Sequence, residues 1–142
     1  MKKLTYAFLA ILFVGATFII SCKKSSSTTT TTITGPSIHL LTGSGYISKD
    51  TSVGMSSALL FGISATAGNG NLTRLLVQRT FNGKAKTAAD TTINVTSFNY
   101  NLHSVSQGAI GVETWLFKIY DSNKDSASVN LTVTTLATAS FK

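Results

Sequence analysis

Glu113-Thr114-Trp115-Leu116-Phe117-Lys118-Ile119-Tyr120 is the stretch whose reading decides the fold. Successive side chains of a strand point to opposite faces, so Trp115, Phe117 and Ile119 fall together on one side. A strand with one apolar face requires a second layer to cover it. Asp121-Ser122-Asn123-Lys124-Asp125 follows as a turn, because Asp and Asn side chains bond readily to their own backbone. Beyond it, Ala127, Val129, Leu131 and Val133 alternate with Ser128, Asn130, Thr132 and Thr134 in a last strand.

The same period of two runs upstream. Ile38 and Leu40 alternate with Ser37 and His39. Leu59, Phe61, Ile63 and Ala65 form one face of a second strand, ended by Gly68-Asn69-Gly70. A third strand runs from about Leu72 to Phe81 with Leu75 and Val77 on its core face. Asn82-Gly83 is a strong hairpin signal, since both positions tolerate positive φ, and Lys84 to Thr87 reads as a short return strand. Ile93 and Val95 open the next strand, which continues through Phe98, Tyr100 and Leu102 in alternation with Asn99, Asn101 and His103. About seven strands divided by turn clusters, with no helical period, predict an all-β sandwich of antiparallel strands. It spans 37–136, and 137–142 form a tail.

A chain of 142 residues holds one such domain plus an export segment. Charged residues make up only 12%, which disfavours long surface helices. The formal charge of +7 invites a nucleic-acid reading, but Lys2, Lys3, Lys23 and Lys24 account for four of those charges and leave +3. The remaining basic residues are scattered, without the basic stripe that nucleic-acid recognition needs.

Met1-Lys2-Lys3 is a charged start, and Leu4 to Ile20 is continuously apolar or small. As a helix this run reaches roughly 25 Å at 1.5 Å per residue, short of a ~30 Å hydrocarbon core. It reads as a signal peptide over 1–21, with a retained signal anchor as the alternative. The small Ser21 and the sole cysteine, Cys22, directly after it argue for cleavage. Residues 22–36 hold Cys22 and the low-complexity tract KKSSSTTTTTIT, which has too little to bury to offset its ordering entropy. It is expected to act as a flexible tether of at most roughly 45 Å.

Two resemblances attach to these residues. Ile19-Ile20-Ser21-Cys22 resembles the lipobox of bacterial lipoproteins, which implies cleavage after Ser21 and acylation of Cys22 as the mature N-terminus. Gly111 to Asp125, GVETWLFKIYDSNKD, resembles the penultimate strand and turn of PKD-type immunoglobulin-like domains. Together with Arg79-Thr80-Phe81-Asn82-Gly83, the region from Pro36 to Thr135 is similar to small immunoglobulin-like lipoproteins of Bacteroidetes. The resemblance implies a fold and an envelope location, with no ligand. Lys23 and Lys24 stand where surface-displayed lipoproteins of that group carry acids, so it implies an outer-membrane position facing the periplasm, with surface display as the alternative.

Catalysis needs titratable groups brought together, and the domain is poor in them. His39 and His103 alternate with apolar neighbours and are expected to face solvent. The five acids are Asp50, Asp90, Glu113, Asp121 and Asp125, and no pair is spaced for acid–base work. Gly43-Ser44-Gly45 lacks the helix and lysine of a phosphate loop. No catalytic residue, cofactor or metal site is expected. Asp121, Asn123 and Asp125 open like a calcium loop, but Ser126 stands where glycine is needed and Thr132 where a bidentate carboxylate is needed. Calcium therefore stays an alternative to an ordinary turn. Asp90-Thr91-Thr92 and Asp125-Ser126-Ala127 resemble the acceptor motif for O-linked glycans in Bacteroidetes, which marks Thr91 and Ser126, with plain surface turns as the alternative. The function expected is a non-catalytic interaction or structural module on a lipid anchor, with a membrane and an unidentified protein or glycan as partners. The alternative is a glycan-binding accessory lipoprotein using Tyr46, Phe81 or Tyr100, which would require exposed aromatics side by side.

Overall fold

A computed structural model describes residues 34–137 of the chain. The expected signal segment, Cys22 with most of its tether, and residues 138–142 lie outside the described residues. Eight strands are present among the described residues: β1 (Ser37–Leu40), β2 (Thr51–Gly54), β3 (Ala58–Thr66), β4 (Leu72–Phe81), β5 (Lys84–Val95), β6 (Ser97–Val105), β7 (Gly111–Asp121) and β8 (Ser126–Leu136). They form a three-stranded sheet in the order β1-β3-β6 and a five-stranded sheet in the order β2-β8-β7-β4-β5. No helix occurs among the described residues. The middle of the larger sheet, β8-β7-β4, faces β1-β3-β6 in the strand order of an immunoglobulin-like sandwich.

The core is built by the alternation read from the sequence. Leu59, Phe61, Ile63 and Ala65 of β3 are buried against Leu75 and Val77 of β4, Trp115, Phe117 and Ile119 of β7, and Leu131 and Val133 of β8. The Phe61 ring lies 4.7 Å from that of Trp115 and 5.5 Å from that of Phe117, both tilted. Antibody domains place their inter-sheet disulfide between the strands equivalent to β3 and β7. Here three aromatic rings join those strands instead, each contributing its burial and roughly 0.5–1.5 kcal/mol per ring pair.

Asn82 (φ 49°) and Gly83 (φ 72°) make the two-residue turn between β4 and β5. Both central residues have positive φ, the geometry that matches the twist of a hairpin. Two boundaries differ from the sequence expectation. The return strand does not stop at Thr87 but runs to Val95, so Ile93 and Val95 end β5 instead of opening the next strand. At Thr96 the chain leaves one sheet for the other, and the Thr96 carbonyl accepts a hydrogen bond from Ala67 N at 2.8 Å. The apolar alternation changes parity at this break, from Ile93 and Val95 to Phe98, Tyr100 and Leu102, although the residues on both sides are equally β-like.

The second correction is β2, a strand absent from the expectation, which pairs in parallel with β8 in an otherwise antiparallel pattern. Thr51-Ser52-Val53-Gly54 has little apolar alternation of its own. It forms because the free edge of β8 offers backbone partners that would otherwise be open to other chains. Asp50 prepares the pairing: its Oδ1 accepts from Thr132 N of β8 at 2.7 Å.

Candidate functional site

The inward face of the larger sheet carries charge at one end. Arg79 follows Leu75 and Val77 at the same parity on β4, and Glu113 precedes Trp115 at the same parity on β7. Arg79 lies in register with Trp115, and its neighbour-but-one Phe81 with Glu113. The guanidinium sits 5.1 Å from the centroid of the Trp115 ring, and Arg79 Nη2 lies 2.8 Å from Glu113 Oε1. Glu113 is fully buried. Its carboxylate also accepts from Gln107 N (2.6 Å) and Trp115 Nε1 (3.1 Å), with Thr135 Oγ1 at 3.5 Å. A buried carboxylate demands such partners, because removal from water is costly for any charge left unpaired.

Arg79 is less completely satisfied. Its Nε and Nη2 are buried without an aligned hydrogen-bond acceptor, so the contact to Glu113 is an ion pair off the N–H directions. The guanidinium borders a cavity of about 220 Å³ lined also by Lys86, Thr87 and Ala88 of β5, Leu102, His103 and Ser104 of β6, and Trp115. β5 and β6 are the terminal strands of their sheets, so the cavity opens on the side of the sandwich where no strand bridges the two edges.

A β-bulge shapes this rim. Val77 pairs with Ala89 but Gln78 pairs with Thr87, leaving Ala88 as the extra residue, and Arg79 then pairs with Lys86. Bulges re-aim side chains in this way. Without the extra residue Thr87 would face Arg79. This cluster escaped the sequence reading, although a signal existed. Charged residues at core parity two positions beyond Val77 and two before Trp115 mark an internal pair.

The residues singled out from sequence are dispersed. Ser21 and Cys22 lie outside the described residues. Thr91 is half-buried within β5, in register with the core residue Leu75, and is not in a turn, whereas Ser126 is exposed at the first position of β8. His39 and His103 are exposed, as expected from their parity. Asp121 is buried, and its Oδ1 accepts from Asn123 N and Asp125 N, both at 2.9 Å. Among the described residues no three acidic, histidine or cysteine side chains converge to hold a metal ion. Tyr46, Phe81 and Tyr100 are each half-buried, and no ring contact joins any two of them. The Tyr46 ring covers Gly62, and its hydroxyl donates to Asn101 Oδ1 at 3.2 Å. Tyr100 stacks on Phe98 at 6.0 Å and 15°, both packed against the core.

The fold and the cavity thus define an immunoglobulin-like β-sandwich with a cationic cleft at its open side. No family model matches the sequence, and no curated protein matches it. Among solved structures, a Niemann-Pick type C2 protein from the Japanese carpenter ant is similar over 72% of this chain and 90% of its own, at 6% identity and a TM-score of 0.41. A CARDB domain from Pyrococcus furiosus, in complex with di-metal ions, covers 72% of this chain and 96% of its own, at 12% identity and a TM-score of 0.41. At that depth of similarity neither protein's ligand transfers to this chain.

Proposed function

We propose that the chain is a non-catalytic, lipid-anchored protein of the bacterial cell envelope whose sandwich serves as an interaction module. The observation that carries this reading is Ile19-Ile20-Ser21-Cys22 at the end of an apolar run, with the chain's sole cysteine at the cleavage point. A Ser/Thr-rich tract and then a sandwich follow it, the order of anchor, tether and cargo. Two or three acyl chains on Cys22 would hold the protein stably without a membrane-spanning helix, since one chain alone anchors only marginally. Lys23 and Lys24 add attraction to anionic lipid, and their place where surface-displayed lipoproteins of Bacteroidetes carry acids favours a position facing the periplasm.

Four of the five acids are committed within the fold, which supports a non-catalytic role. Asp50 is bound to a backbone N–H, Asp90 to Arg74, Glu113 to Arg79 and Trp115, and Asp121 to its own turn. The aromatics favour an interaction module over a sugar-stacking platform, because Tyr46 is spent covering Gly62 and Tyr100 packs inward with Phe98.

The experiment is Cys22→Ala beside the parent, labelled with a clickable fatty acid and fractionated. The parent is expected to carry label and sediment with outer membrane, and the variant to lose both. An unlabelled parent, or a variant still cleaved after Ser21 and membrane-bound, would overturn the lipoprotein reading.

A further inference from the structure

We propose that the cleft between β5 and β6 is a binding site for a single oxyanionic group, a carboxylate or a phosphate, held by Arg79 and Lys86. The inference goes beyond the envelope reading and does not depend on the lipid anchor.

Three independent observations meet at this cleft. First, the Ala88 bulge sets Lys86 directly across from Arg79 on the cavity-facing side of the sheet. Residues so paired have Cβ atoms roughly 4.5–5.5 Å apart, and like charges there repel. Glu113 neutralises Arg79, but Lys86 has no carboxylate partner among the described residues. One net positive charge therefore remains at the rim. An anion between the two cations removes the repulsion and balances that charge.

Second, the guanidinium is fixed in advance. Trp115 and Glu113 hold it from two sides, and its Nε and Nη2 lack aligned acceptors. Nε and Nη2 are themselves buried, so a ligand meets the guanidinium only through the 17% of the side chain that stays exposed, and a charge fixed in this way attracts a carboxylate or phosphate with little further loss of freedom. Third, space exists. The cavity of about 220 Å³ far exceeds the ~10–15 Å³ that one water requires. It falls below the roughly 300–1,000 Å³ of sites for drug-sized ligands, so it admits one charged group and the atoms beside it. Ser104 supplies a hydroxyl at the lining and Leu102 an apolar side.

Trp115 is the chain's sole tryptophan and underlies Arg79, so its emission reports the site. The full chain in detergent is titrated with sodium phosphate and, separately, sodium glucuronate, with sodium chloride at matched ionic strength as reference. A saturable change with phosphate or glucuronate is expected, about tenfold weaker in Lys86→Gln and unchanged in Lys84→Gln, another exposed lysine of β5. A response to phosphate alone assigns the ligand to phosphoesters, and a response to glucuronate alone assigns it to acidic sugars and other carboxylates; both support the site. No response beyond chloride, or equal affinities in the two lysine variants, would overturn it. Because Lys86 is exposed, its variant tests the site without removing the internal ion pair.

Discussion

Arg79 and Glu113 meet inside the wall of the sandwich, Nη2 to Oε1 at 2.8 Å, from strands β4 and β7 that lie side by side. The Glu113 side chain is fully buried and that of Arg79 retains 17% exposure, so neither charge is held by bulk water. Breaking such a pair leaves an uncompensated charge. Glu113→Ala is therefore expected to lower unfolding free energy by about 3–5 kcal/mol in urea denaturation. The double variant Arg79→Met with Glu113→Leu should lose less than Glu113→Ala alone. A Glu113→Ala midpoint equal to the parent's would show the pair to be energetically idle.

Trp115 packs on Phe61 across the two sheets with none of its surface exposed. Trp115→Phe is expected to remain folded, while Trp115→Ala should cost about 3–5 kcal/mol. In the parent, emission should be blue-shifted when native and move to the red on unfolding. Native emission already at the wavelength of exposed tryptophan would contradict the burial.

Gly62 lies under the Tyr46 ring, where an added Cβ would come within 2.6 Å of the ring and 2.9 Å of Leu41 Cβ. Gly62→Ala forces the ring away and is expected to destabilise by about 1–3 kcal/mol, the usual range for overpacking. Combining it with Tyr46→Ala should recover part of that loss. A purely additive double variant would place the cost elsewhere.

The turn at Asp121 is closed by its own carboxylate. With Oδ1 accepting from two backbone N–H groups, Asp121→Ala is expected to cost about 2 kcal/mol or more. Millimolar calcium should leave the parent's Tm unchanged, since Ser126 and Thr132 supply neither the glycine nor the carboxylate of a calcium loop. A calcium-dependent rise of several degrees that vanishes in Asp121→Ala would reverse this assignment.

Asp90 receives two hydrogen bonds from Arg74, Nε to Oδ1 at 2.7 Å and Nη2 to Oδ2 at 2.6 Å. The hydrogen bonding, aided by the guanidinium charge and opposed by desolvation, holds the Asp90 carboxyl below its usual 3.8 and the Arg74 guanidinium above its usual value. A depressed acid contributes stability that is present above 3.8 and is lost as pH falls through the lowered value. NMR titration is expected to give an Asp90 midpoint below 3.8, rising in Arg74→Gln and in high salt because the pair is exposed. A midpoint indifferent to both changes would rule out the ion pair as its cause.

The sequence by itself determined what depends on neighbours along the chain. Phe61, Trp115 and Leu131 could be assigned inward because side-chain direction alternates residue by residue in any strand, whatever it pairs with. Asn82-Gly83 declared its hairpin because positive φ is a property of those residues. Tertiary structure alone decided the rest, since pairing involves partners far away in sequence. Only the free edge of β8 turns Thr51–Gly54 into a parallel strand, and only the change of sheet at Thr96 divides β5 from β6. The cleft belongs to the same class. Parity marks Arg79 and Glu113 as inward, but only the register of β5, β4 and β7, shifted by the bulge at Ala88, brings them to one rim with Lys86. Backbone hydrogen bonds set that register across distances that local preference does not span.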